Sequence, residues 1–232
     1  TYMAMQKEAK AKQTFEKLLV LQPDNAKAFT FLLQIAQKGG AKQDDLIKMT
    51  QAQIGKAPKS GGLQVLLGNL YLSVNQPDKA LDAYQKAQDL DPDNPQSYAM
   101  SAMILTKQGK TDQAIAEYKD LLAKQPKAIG AYMGLGSIYE QTGKRDLAKD
   151  AYTKILTIKP DFAPAANNLA WMIAESKDPD LGEALRLAMT AKQQQPDDPH
   201  IIDTLGWVHY KRGSFGLARN EFTQAVQKQG EM

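Results

Sequence analysis

The stretch GLGSIYEQTGKRDLAKDAYTKILTIKP, residues 134–160, decides how this sequence folds. Its glycines first suggest a phosphate-binding loop, which has the pattern G-x-x-x-x-G-K-[ST] because backbone N–H groups must converge on the phosphates. Counting back from Gly143, the first glycine of that pattern would fall at Ile138, and Arg145 stands where the magnesium-binding hydroxyl is required. The dinucleotide fingerprint fails as well, because Tyr139 occupies the place of its third glycine. The stretch is therefore not a nucleotide-binding loop.

The same stretch belongs to a set that recurs along the chain. Residues 66–71 (LLGNLY) match residues 134–139 (GLGSIY) and residues 204–209 (TLGWVH). Six prolines share this period, at spacings of 34 to 36 residues: Pro23, Pro58, Pro92, Pro126, Pro160 and Pro196. A fixed period of about 34 residues indicates a repeat architecture.

Each repeat is predicted to consist of two helices. In residues 80–90 the apolar side chains recur at spacings of three and four, which is a helical stripe and not the alternation of a strand. Asn94, Asp161 and Asp198 stand where helices are predicted to begin, so we expect them to accept hydrogen bonds from free N–H groups of the first turn. The glycines expected to end first helices, because glycine adopts a left-handed φ at little cost, are Gly109, Gly143 and Gly213.

These residues together resemble the tetratricopeptide repeat (TPR). The units at 61–94, 129–162 and 199–232 match it best, with Leu-Gly-x-x-Tyr or a close variant followed by Ala and an aromatic residue, and with a turn glycine between them in the last two units. The stretches NNLAWMIAE (167–175) and DTLGWVHYKRG (203–213) look like the C-terminal repeats of bacterial cell-envelope TPR proteins, including those linked to exopolysaccharide and exosortase systems.

The resemblance implies an all-α fold, an α-solenoid in the form of a right-handed superhelix with about 13 helices. A pair of helices cannot bury its apolar face alone, so neighbouring pairs stack and share one long core. We expect a single solenoid domain over residues 1–232. Its parts are a half repeat at 1–23 and six repeats at 24–60, 61–94, 95–128, 129–162, 163–198 and 199–232.

Small and aromatic residues are expected to set the packing of the helices. Gly68, Gly136 and Gly206 recur at one position and would allow two helices to approach closely. The bulky residues expected to fill the space between helices are Tyr84, Tyr118, Tyr152 and Phe222.

Composition and charge exclude several classes of function. The net charge is +3 and the charges are interspersed, so the sequence predicts neither a nucleic-acid partner nor a charged membrane-binding surface. There is no cysteine, which excludes disulfides and thiol nucleophiles. No apolar run is long enough for direct membrane insertion. Because residues 1–19 already form an amphipathic helical pattern, we expect the chain to be an excerpt whose true N-terminus lies outside it.

The sequence predicts no catalytic residue, no metal site and no cofactor. His209 occupies the tyrosine position of its repeat and is expected to pack in the core, while His200 with Asp203 one turn on suggests a solvated helix end. Neither has the nucleophile that a triad requires. The alternating Asp89, Asp91 and Asp93 lack the glycine and terminal glutamate of a calcium loop.

One surface is expected to carry the function. In TPR proteins the first helices line a concave groove, and the matching positions here give a mixture of Met, Trp and Asn. Lys27 is the only cation at these positions, so a clamp for a C-terminal carboxylate is not expected. The methionines have an alternative interpretation, packing between successive first helices. The candidate partner-binding residues are Asn69, Met100, Met103, Met133, Asn167, Asn168, Trp171, Asp203, Trp207 and Tyr210, with Ser137 and Glu140 also at groove positions.

The leading functional hypothesis is a non-enzymatic scaffold that binds a peptide or helix of a protein partner in this groove. A glycan-binding, small-molecule-binding or regulatory module of a larger exopolysaccharide system is the alternative, with Trp171 and Trp207 as its candidate site. A third hypothesis is homo-oligomerisation through uncapped ends, because the last helix presents Leu217, Phe222 and Val226. The resemblance favours a periplasmic or envelope-associated location over a cytoplasmic one.

Overall fold

The computed structural model describes residues 2–230, and side chains from residue 9 onward. Within that range the chain forms thirteen α-helices and no strand, which confirms the predicted all-α fold. The helices are α1 (Tyr2–Leu21), α2 (Ala26–Lys38), α3 (Gln43–Lys56), α4 (Gly61–Ser73), α5 (Pro77–Leu90), α6 (Pro95–Lys107), α7 (Thr111–Lys124), α8 (Ile129–Gln141), α9 (Arg145–Ile158), α10 (Ala163–Ala174), α11 (Leu181–Gln194), α12 (Pro199–Lys211) and α13 (Phe215–Gly230).

The helices divide into two compact units, residues 1–126 and residues 127–232. The first unit contains α1–α7 and the second contains α8–α13. In each unit the two helices of a repeat pack against each other, as α4 does with α5 and α12 with α13. The second helix then packs against the first helix of the next repeat, as α11 does with α12.

Turns form where the prolines and glycines predict them. Each of the six periodic prolines lies in the turn between two repeats. The predicted turn glycines within repeats have left-handed φ values: 74° at Gly109, 72° at Gly143 and 77° at Gly213. Asn75, with φ 55°, takes this role between α4 and α5. Asparagine tolerates the left-handed region better than most residues, which explains how this repeat turns without glycine.

Two of the three predicted helix caps form. The Asn94 side chain accepts a hydrogen bond from the Gln96 N–H at 3.0 Å, and Asp198 accepts one from the His200 N–H at 2.9 Å. The prediction for Asp161 is wrong, because Phe162 is the N-cap of α10 and makes no side-chain cap hydrogen bond. Asp161 lies one residue too early in the chain to cap this helix.

A glycine of the first helix accommodates an aromatic ring of the second helix in the same repeat. A Cβ added at Gly136 would lie 2.5 Å from Tyr152 Cε1, which is closer than real Cβ atoms approach other atoms. The same arrangement joins Gly68 to Tyr84 in the first unit and Gly206 to Phe222 in the second. The predicted close approach is confirmed at all three glycines.

The unit at 24–60 folds as a helix pair although it lacks the usual alanine and aromatic positions. Phe29 and Leu33 of α2 and Leu46 of α3 are buried, and they form one cluster with Leu63 of α4. Apolar periodicity alone therefore suffices for the two helices of this repeat.

Candidate functional site

The candidate binding residues are distributed over both compact units. Asn69, Met100 and Met103 belong to the first unit, and the remaining seven belong to the second.

In the first unit, the predicted residues lie close to the core. Tyr84 Oη donates a hydrogen bond to Asn69 Oδ1 at 2.6 Å, and burial raises the pKa of Tyr84 to about 12. Met100 packs against the buried cluster that contains Tyr84 and Ile104, and Met103 is partly buried. The contacts of Met100 are those of the alternative interpretation, in which methionines pack between helices.

In the second unit, four aromatic rings form a continuous series, called here the aromatic row: Trp171 of α10, Trp207 and Tyr210 of α12, and Phe215 of α13. The ring centroids are 5.8 Å apart for Trp171 and Trp207, 5.3 Å for Trp207 and Tyr210, and 5.6 Å for Tyr210 and Phe215. These separations are within the range of favourable aromatic pairs. The row brings together three of the predicted residues.

The aromatic row is unusually open to solvent. Trp171 is 39% exposed, Tyr210 48% and Phe215 65%. Contiguous exposed apolar surface is typical of interaction sites on proteins. Trp207, at the centre of the row, is only partly exposed.

Trp207 makes one polar contact through its indole N–H and another over its ring. Its indole Nε1–H donates a hydrogen bond to Glu175 Oε1 at 2.8 Å, and the same oxygen lies 2.9 Å from Lys211 Nζ. Lys211 Nζ also lies 5.2 Å from the centroid of the Trp207 ring. The hydrogen bonds from Lys211 and then Trp207 lower the pKa of Glu175. The carboxylate therefore stays ionised and fixes the indole in one orientation.

A polar cluster adjoins the row. Tyr152 Oη donates a short hydrogen bond to Glu140 of α8, and Asn168 of α10 also interacts with this hydroxyl. Burial, followed by the Glu140 carboxylate, raises the pKa of Tyr152. The Asn167 Oδ1 atom is buried and has no hydrogen-bond partner in the described part of the chain. Asn168 and Trp171 are three residues apart on α10, so this cluster and the row share one side of the helix.

The remaining predicted residues flank these groups. Asp203 is exposed and lies four residues before Trp207 on α12, which places the two on the same helix face. Met133 of α8 is partly buried.

Sequence reasoning missed Glu175, Lys211 and Phe215 as functional candidates. Glu175 and Trp207 are 32 residues apart, and other side-chain hydrogen bonds between successive repeats have nearly the same separation, such as Gln88 to Glu117 at 29. The repeat period is therefore the sequence signal from which a partner for Trp207 could have been found.

The side chains that the structure describes form no arrangement suited to a metal ion. Between residues 9 and 230 there is no group of three His, Asp or Glu side chains that could hold a metal ion. His209 is half-buried, and burial lowers its pKa. Among the described residues, no helix is long and apolar enough to cross a membrane.

Comparison with protein families identifies the repeats in the middle of the chain. Three models described as tetratricopeptide repeats match residues 64–94, 83–116 and 105–172. They agree with the helix pairs of the structure and with the repeat period of the sequence.

Curated relatives share the repeats at low identity. A TPR repeat-containing protein of Pseudomonas aeruginosa is 25% identical over 178 residues, 76% of this chain and 30% of that protein. The cellulose synthase 2 operon protein C of Komagataeibacter xylinus is 25% identical over 212 residues, 88% of this chain and 15% of that protein. The human protein O-mannosyl-transferase TMTC1 is 25% identical over 163 residues, 69% of this chain and 18% of that protein. The chain thus spans less than a third of each relative.

Solved structures agree on the fold. MamA is similar with a TM-score of 0.60 at 20% identity, covering 71% of this chain and 95% of MamA. YrrB, described as a TPR protein with an unusual peptide-binding site, has a TM-score of 0.60 at 18% identity, covering 78% of this chain and 92% of YrrB. At such identities the likeness establishes the fold alone.

Proposed function

Since this chain carries tetratricopeptide repeats, we propose that it is a non-enzymatic scaffold that binds a peptide or helix of a partner protein. The binding surface is the first-helix face of the second unit, defined as the exposed side of α8, α10 and α12. The observation that carries the proposal is the aromatic row, which exposes large rings around a tryptophan locked by Glu175 and Lys211.

The composition of this face suits a polypeptide ligand. Aromatic residues are enriched among the anchors that dominate binding energy at protein interfaces. The Asn168 amide has both donor and acceptor groups, so it can match the backbone of an extended or helical peptide without requiring one sequence. A preorganised Trp207 also lowers the entropy that must be lost on binding.

Display of a random peptide library on the immobilised protein tests this function. We expect selected peptides to bind the unmodified protein and to lose binding to a Trp171→Ala variant. A Leu147→Ala variant is the matched control, because Leu147 is an exposed apolar side chain on α9, a second helix. Peptides that bind all three proteins equally would exclude the aromatic row as the binding surface.

Glycan binding is the second candidate, and exposed tryptophan and tyrosine rings favour it because sugars also stack on aromatic faces. The similarity to a cellulose synthase operon protein supports an envelope-associated polysaccharide system as the setting. A glycan array distinguishes this candidate. Specific oligosaccharide binding that depends on Trp171 would support it over the peptide scaffold.

Self-association is the third candidate and rests on α13. Phe215 is 65% exposed, Leu217 53% and Val226 70%, so this helix presents a large unpaired apolar surface. Sedimentation velocity over a range of concentrations tests the idea. Association that Val226→Asp abolishes would support it, whereas a monomer at all concentrations would exclude it for this chain.

A further inference from the structure

The first helices of the second unit carry more carboxylates than ammonium groups, although the whole chain is basic. The full sequence has a net charge of +3. The ionised side chains on α8, α10 and α12 are Glu140, Asp203 and Lys211, and Lys211 is paired with Glu175 directly after α10. Glu175 is thus balanced by Lys211 and by the charge of Arg145, whereas Glu140 and Asp203 belong to no ion pair among the described residues, and α10 at the centre carries no charge of its own.

The two carboxylates outside the Lys211 pair are available to a ligand. Glu140 is exposed and accepts its hydrogen bond from Tyr152, which is a neutral donor that leaves the negative charge uncompensated. Asp203 is exposed and forms no ion pair with any other residue in the range 9–230. Lys211 cannot neutralise either of them without leaving Glu175 and the Trp207 ring.

Contacts between neighbouring residues connect the exposed ring of Trp171 to both of these carboxylates. On one side, Glu140 and Asn168 both interact with the Tyr152 hydroxyl, and Asn168 is one turn before Trp171. On the other side, Trp171 contacts Trp207, which is one turn after Asp203. An aromatic face flanked by carboxylates attracts a cation through two interactions. One is the cation–π interaction with the ring, and the other is the electrostatic attraction to the carboxylates.

We propose that the partner segment bound by this face carries a lysine or arginine side chain, which lies against Trp171 and pairs with Asp203 or Glu140. This inference rests on the proposed peptide-binding function and specifies its ligand. The aliphatic part of such a side chain covers the aromatic ring while its charged end reaches the carboxylates. The same face disfavours acidic segments, because a carboxylate on the ligand would meet two uncompensated negative charges.

Three blocked pentapeptides test the inference by tryptophan fluorescence titration. They are Ac-Leu-Ala-Lys-Ala-Leu-NH2 and its counterparts with norleucine or glutamate at the centre. Norleucine has the length of lysine without its charge, so it isolates the contribution of the cation. We expect the lysine peptide to bind about fivefold to thirtyfold more tightly than the norleucine peptide, and the glutamate peptide to bind least. The advantage of lysine should shrink as ionic strength rises.

Matched variants locate the effect. The double variant Glu140→Gln and Asp203→Asn should bring the ratio of the lysine-peptide affinity to the norleucine-peptide affinity close to one. Asp150→Asn, which removes an exposed carboxylate from α9, should leave the preference intact. Equal affinities for lysine and norleucine in the unmodified protein would overturn the inference and leave the proposed function standing. If no peptide binds, or if binding is unchanged in Trp171→Ala, both proposals are wrong.

Discussion

In three of the repeats, a glycine of the first helix packs against an aromatic ring of the second helix. Tyr84 and Tyr152 are fully buried against Gly68 and Gly136, so the ring takes the volume that a side chain on the glycine would need. The hydroxyl of each tyrosine then reaches a residue at a predicted groove position, Asn69 or Glu140. One pair of residues thus joins the packing of a repeat to its first-helix surface.

Gly136→Ala should therefore destabilise the second unit by about 1–3 kcal/mol, the usual cost of overpacking a core. The added methyl group would meet the Tyr152 ring at 2.5 Å. Gly130→Ala is the matched control in the same helix, because no atom lies within 4 Å of its added Cβ. We expect it to be neutral or to stabilise by up to about 1 kcal/mol, as alanine favours a helix over glycine. Urea denaturation measures both, and equal effects would contradict the packing described here.

Tyr152→Ala should cost about 3–5 kcal/mol, the range for truncating a large buried aromatic residue. Tyr152→Phe keeps the ring and loses the hydrogen bond to Glu140, so it should cost about 0.5–1.5 kcal/mol. In a repeat array the damage is concentrated near the altered repeat. Hydrogen exchange should accordingly rise most in α8, α9 and α10. An even rise in hydrogen exchange along the whole chain would contradict this packing.

At the scale of elements, Glu175 at the end of α10 is joined to α12 through Trp207 and Lys211. Its pKa is lowered in the folded state, chiefly by the hydrogen bond with Lys211. A carboxylate whose pKa is lowered by folding stabilises the protein above the pKa of the unfolded chain, near 4.3 for glutamate. This stabilisation is lost as the pH falls through the folded-state value.

Glu175→Gln tests that dependence. Because the Lys211 pair is partly exposed, the variant should be less stable at pH 7 by no more than about 1 kcal/mol. The difference from the unmodified protein should shrink as the pH is lowered from 5 toward 3, since the native carboxylate becomes protonated. Unfolding free energies at several pH values measure it. A difference at pH 3 as large as that at pH 7 would show that the charge of Glu175 plays no part.

The helices could be predicted from the sequence because their signals are local and repeated six times. Periodic prolines, turn glycines and apolar stripes each act within one repeat, so the pattern shows them directly. The cap at Asp161 was wrong because a shift of one residue in the start of a helix changes which side chain reaches its free N–H groups. The environment of Trp207 was missed because it depends on side chains from two successive repeats, Glu175 from one and Lys211 from the next.

At the scale of the whole molecule, the chain combines a basic composition with an aromatic surface on its second unit whose carboxylates Glu140 and Asp203 lie outside ion pairs. Lysines and arginines are spread over the second helices and turns, and the first helices of the second unit hold few charges. Because composition averages over all surfaces, the net charge of +3 gave no sign of this difference. The ligand preference of a repeat protein is better read from one face than from its total charge.

Isothermal titration of a display-selected peptide against the Trp171→Ala variant tests the central claim most directly. If the first-helix face of the second unit binds the partner through its aromatic row, Trp171→Ala should weaken binding by about 2 kcal/mol or more, as for a central aromatic anchor. Leu147→Ala and Lys149→Ala, both on α9, should leave the affinity nearly unchanged. Equal losses in all three variants, or no loss in Trp171→Ala, would contradict the account.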